Sequence, residues 1–122
     1  MPQSTPDNNW EVTRGENMKF GGVFRLDVEG SEYKAGDIDK ITAYIKRSQE
    51  DDNDKALLTK ESPTGISISA LPTDLKVPFT VFFAPSDTLT TLKPDRYFVR
   101  IWCLFKDGVV KPIYDGALNV QP

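Results

Sequence analysis

Leu92-Lys93-Pro94-Asp95-Arg96-Tyr97 leads into Phe98-Val99-Arg100-Ile101-Trp102-Cys103-Leu104-Phe105. Lys106-Asp107-Gly108 then turns the chain into a run that closes on Gly116-Ala117-Leu118-Asn119-Val120. The reading of this last quarter decides the fold. Tyr97, Val99, Ile101, Cys103 and Phe105 alternate with Phe98, Arg100, Trp102 and Leu104, which is the two-residue period of a β-strand. Gly108 supplies the positive φ that a tight reversal needs, so the segment reads as a β-hairpin. A leucine, a short Pro-Asp turn and a tyrosine opening a strand form the pattern of a tyrosine corner, in which the phenol hydrogen-bonds the turn backbone. Tyr97 is therefore expected to be structural, and Cys103, of the same parity, a small buried hydrophobe.

Working back from the hairpin, short alternating runs recur. Val77, Phe79, Val81 and Phe83 share one parity with Phe82 opposed, and Pro78, which has no N–H, suggests an edge or a strand start. Pro85 to Leu92 is the one plausible helical turn, with Ser86 as N-cap, Asp87 at the positive end, and Leu89 and Leu92 directed to the core. Ile66 to Ala70 is a strand, and Leu57-Leu58 begins a shorter one. Ile41, Ala43 and Ile45 face one way, with Thr42, Tyr44 and Lys46 the other. Phe20, Gly22, Phe24, Leu26 and Val28 define another half-buried strand, in which Gly21-Gly22 permits a bulge or a close backbone approach. Trp10 and Val12 lie on a first strand ending at Arg14-Gly15. About seven short strands separated by turn signals, with one short helical turn, describe an all-β, immunoglobulin-like antiparallel sandwich. Residues 1–9 are polar with two prolines and are expected to be a flexible arm; residues 10–122 form the domain.

Composition narrows the function classes. The chain has 122 residues, enough for one core that buries roughly 65% of the unfolded surface. Its net charge is −3 and it has no block of Lys or Arg, which argues against nucleic acid as a partner. One cysteine precludes an internal disulfide. No basic, apolar leader opens the sequence and no apolar run approaches a membrane span, so synthesis in the cytoplasm and no membrane partner are expected. There is no histidine, which removes Ser-His-Asp, Cys-His and His-metal chemistry. The acidic segment Gln49 to Asp54 lacks the Gly and Glu positions of a calcium loop and reads as a solvated hairpin tip. Neither a catalytic residue, a metal ligand nor a cofactor is implied, and an enzyme is not expected.

Arg14-Gly15-Glu16-Asn17 leading into Phe20, Ile41 to Arg47, Leu92 to Tyr97, the Asp107-Gly108 turn and Asp115 to Val120 resemble small immunoglobulin-like proteins of tailed bacteriophages. The resemblance runs from about Arg14 onward; the long Glu29–Lys40 loop and Asp95, where the family often has Gly, depart from it. It implies a non-enzymatic structural component of the virion, in head decoration, neck, tail or baseplate. Partners would be other virion proteins in a symmetric assembly of several copies. From the residues themselves, the outward set Phe98, Arg100, Trp102 and Leu104 is the candidate protein interface, because aromatic and Arg side chains make good anchors. The alternative is a carbohydrate-binding or host-adhesion sandwich with Trp10, Tyr33 or Tyr44 as stacking platforms.

Overall fold

The computed structural model describes residues 9–26, 33–48 and 50–122. Their strands are β1 (Asn9–Thr13), β2 (Met18–Arg25), β3 (Ile38–Lys46), β4 (Leu58–Glu61), β5 (Ile66–Ile68), β6 (Lys76–Phe83), β7 (Asp95–Phe105) and β8 (Val110–Gln121). A five-stranded sheet runs in the order β1-β8-β7-β3-β4, and a three-stranded sheet in the order β2-β6-β5. All pairings are antiparallel except β1 with β8, which is parallel, with Asn9 opposite Ala117 and Thr13 opposite Gln121. This is an immunoglobulin-like all-β sandwich. Of the expected arm, residues 1–8 lie outside the described residues, and Asn9 already belongs to β1. Val28 likewise lies outside them.

Strand alternation places the core between the sheets. Tyr97, Val99, Ile101, Cys103 and Phe105 are 0–2% exposed. They meet Ile41, Ala43 and Ile45 of β3 beside them and Val77, Phe79, Val81 and Phe83 from the opposite sheet, in one buried cluster. Gly22 marks a close approach: a Cβ there would sit 2.9 Å from the Phe79 ring. The β7–β8 reversal uses Gly108 at φ 93°, with the Gly108 N–H donating to the Phe105 carbonyl at 2.9 Å. At the other end of β7 the Tyr97 hydroxyl donates to the Lys93 carbonyl at 2.7 Å, tying the strand to the turn that feeds it. Burial of the Cys103 thiol pushes its pKa up to about 12, so it stays protonated and inert at neutral pH.

Three local expectations are corrected. Pro78 lies in β6, the middle strand of its sheet, not at an edge or strand start. The position tolerates proline because β5 pairs only with Phe79 to Val81. The Pro78 carbonyl accepts the Ser69 N–H at 3.0 Å, and the missing donor faces that same side, past the end of the ladder. The turn at Asp87–Thr91 is π-type, the Leu92 N–H donating to the Asp87 carbonyl at 2.8 Å. Ser86 makes no capping bond; the Asp87 carboxylate instead accepts the Ala84 N–H at 2.8 Å and pairs with Lys60 at 2.6 Å. The wider turn buries Leu92 and leaves Leu89 half exposed.

Two outcomes follow from the ends of β7. Tyr97→Phe removes the hydroxyl bond to Lys93 and should cost about 1 kcal/mol in chemical denaturation, with the fold retained. At the hairpin, the Val109 N–H first, and then the Tyr33 hydroxyl, hold the Asp107 carboxyl below its usual 3.8. A carboxyl depressed on folding stabilises above its unfolded pKa and loses that contribution as pH falls through the folded value. Protection of the Val109 amide, measured against its intrinsic exchange rate, should therefore fall selectively as pH drops below 3.8, an effect absent in Asp107→Ala.

Candidate functional site

The outward residues of β7 stand in the middle of the five-stranded sheet's outer face. Across from them on β3, Leu104 faces Lys40, Trp102 faces Thr42, Arg100 faces Tyr44 and Phe98 faces Lys46. On β8, Arg100 faces Asp115, and the two side chains are joined at 3.0 Å. Phe98, Arg100, Trp102 and Leu104 are each half-buried, so the strip expected to stand free is packed into its own sheet face. Thr42, directly across from Trp102, is only 7% exposed although it points away from the core. Lys40 and Glu61, 3.2 Å apart, form a solvated ion pair on the same face.

At Trp102 the β7–β8 register breaks. Ile101 is opposite Tyr114 and Trp102 opposite Pro112, which leaves Ile113 as an extra residue in β8. Such a bulge bends its strand and re-aims the neighbouring side chains. Pro112 fits there because it has no donor to offer the ladder. Around the bulge lies a cleft of about 500 Å³, lined by Arg100, Trp102 and Pro112 to Asp115. The Trp102 Nε1 is buried and meets no hydrogen-bond acceptor among the described residues. A buried donor without a partner costs roughly 1–3 kcal/mol, so this indole is held in place against a local penalty. The bulge was missed in the sequence; a proline inside an otherwise extended run was the signal that could have found it.

At the end of this face, Lys46, directly across from Phe98, is held by the acidic segment after β3. Lys46, expected to point outward, is 2% exposed, and its ammonium donates to the Asp51 carbonyl at 2.9 Å and to the Asn53 Oδ1 at 3.1 Å. The acidic segment thus holds an internal cation through a backbone carbonyl and an amide oxygen, not through its carboxylates. No group of three His, Cys, Asp or Glu residues is placed to hold a metal among the described residues. Gln49 lies outside them.

Of the three candidate sugar-stacking platforms, Trp10 is corrected by burial. Trp10 is 4% exposed because its parallel pairing with Leu118 turns it inward, where it stacks on Phe20 at 4.9 Å and Tyr114 at 5.2 Å. Tyr33 lies on the Phe105 ring at 3.8 Å, with the Lys111 ammonium 5.2 Å from its centre and its hydroxyl on Asp107 at 2.8 Å. Tyr44 is half-buried beside Arg100.

No protein-family profile matches the chain, and no curated protein does. Among solved structures it is similar to CopC from Methylosinus trichosporium OB3b. The identity is 14%, the TM-score is 0.37, and the match covers 96% of this chain and 87% of that one. The expected role in a tailed-phage particle is corrected on these findings. CopC is not a phage structural component, and no family or curated protein connects the chain to a head, neck, tail or baseplate. At this TM-score the likeness transfers no binding site. No helix among the described residues is long and apolar enough to cross a membrane.

The segment after β3 is anchored by Lys46. Lys46→Met should leave the core intact but release the segment after β3, speeding amide exchange at Lys55 and Ala56 by about tenfold while the β7 amides are unchanged.

Proposed function

We propose that the protein is a non-enzymatic recognition domain that binds a segment of a partner protein on the outer face of its five-stranded sheet. Phe98, Arg100, Trp102 and Leu104 form the contact strip, with Trp102 as its anchor. The observation that carries this reading is the Trp102 indole at the edge of the bulge cleft, its Nε1 unpartnered. A carbonyl brought by a partner, with a slight rotation of the ring toward the cleft, would satisfy that donor. Tryptophan and arginine are also the side chains that most often dominate binding energy in protein interfaces. Arg100 is oriented by Asp115, and the pair offers a donor and an acceptor beside the ring. The missing histidine and the inert Cys103 favour contact over chemistry.

The test is a selection from an mRNA-displayed random peptide library, counter-screened with Trp102→Phe, which keeps a ring and removes the N–H. The expected result is peptides whose affinity falls by about tenfold or more on that substitution, with thermal stability unchanged or raised. Peptides that bind Trp102→Phe and Trp102→Ala as well as the parent, or no peptide dependent on Trp102, would overturn the reading.

A further inference from the structure

The outer face of the three-stranded sheet differs in kind from that of the other sheet. Its cations are Lys19 and Arg25 on β2 and Lys76 on β6, and no acidic residue occupies an outward position of either strand. Arg25 and Lys76 stand directly opposite each other across the ladder. Like charges so placed destabilise a sheet. Arg25 already has an interaction of its own, but Lys19 and Lys76 make no ion pair among the described residues. Val23, 59% exposed, lies between Lys19 and Arg25 along β2, Phe82, 41% exposed, stands directly across from Lys19, and the other outward positions are Gly21, Pro78 and Thr80. Among the described residues, a chain of net charge −3 thus concentrates positive charge and exposed apolar surface on one face.

Both ends of the face open into clefts. Beyond Lys19, a cleft of about 450 Å³ is walled by Met18, Phe82 and Phe83, with the Lys60 ammonium beside it, already paired to Asp87. At the other end, a cleft of about 410 Å³ lies between Val23 to Leu26 and Lys111 to Ile113, adding Lys111 to Arg25. Lys19 to Arg25 is six residue steps along β2, about 20 Å, the reach of an extended peptide of about seven residues.

We propose that this face is a second binding site, for an acid-rich extended segment of a partner protein that places a large apolar side chain in the Met18–Phe82 cleft. Its carboxylates lie over Lys19 and Lys76 and reach the Arg25–Lys111 end. The concave clefts favour a peptide over an anionic membrane, whose flat surface would leave both of them empty. The charges also protect β2, an edge strand, from pairing with other chains. That role alone would be met equally by carboxylates, and the test exploits the difference.

The same random peptide library is selected on the parent protein at low salt, and enriched clones are measured on Lys19→Glu/Lys76→Glu and on Trp102→Ala. The expected result is a class of peptides rich in Asp and Glu around an apolar residue. Their affinity falls by about tenfold or more on charge reversal, and falls again at high salt. They bind Trp102→Ala unchanged, which separates this site from the one on the other sheet. Both substituted lysines are exposed and Lys76→Glu places an opposite charge across from Arg25, so the double variant should melt no lower than the parent. Enrichment without acidic residues, or equal binding by the charge-reversed protein, would overturn the proposal. So would capture by phosphatidylglycerol vesicles with no peptide class, which would assign the face to lipid.

Discussion

The sandwich depends on the inward row of β7. Five side chains, Tyr97 to Phe105 at alternate positions, are essentially inaccessible to water, and they sit on a strand paired on both sides, to β3 and to β8. Every other apolar contribution is arranged around that row: β3 beside it, β6 across from it, and Trp10 brought in from β1 by way of β8. Burial of this size is the dominant favourable contribution in a domain of this length. The Tyr97 hydroxyl and the Gly108 turn then fix where the row begins and ends.

Because the row is inward, its complement is committed to the other side. Phe98, Arg100, Trp102 and Leu104 are outward only because their neighbours are core, and the sheet makes use of them by packing them on β3 and β8. The two outer faces end up with different characters. One carries balanced ion pairs around half-buried aromatics; the other carries cations and open apolar groups around small residues. This difference supports separate partners for the two faces.

What was legible in the sequence was what is local. The period of β7, the turn at Gly108, the Gly21-Gly22 pair that permits a close approach and the parity of Ile41, Ala43 and Ile45 all show in residues a few positions apart. What was not legible depends on pairing across the chain. Pro78 looked like an edge residue because a single strand does not reveal that its neighbour stops short. Trp10 looked available because nothing local reveals its pairing with β8. Leu89 and Leu92 are both leucines in one turn, and only the wider π-type bonding decides which is buried. In the candidate site, the four residues of β7 were identified by parity alone. The bulge at Ile113 and the hold of Asp51 and Asn53 on Lys46 are tertiary, as is the join of Lys19 and Phe82 across one ladder.

The parallel pairing of β1 with β8 has a mechanical side. The two strands point the same way, so the chain enters β1 beside Ala117, part-way along β8, and both strands end side by side at Thr13 and Gln121. Tension applied to the chain before β1 and after β8 would slide these strands past each other along their length. Their cross-strand hydrogen bonds would then resist together in shear, where a hairpin pulled from its open end gives them up one at a time. A domain anchored through both ends would transmit a pull along its long axis with its two outer faces left undisturbed.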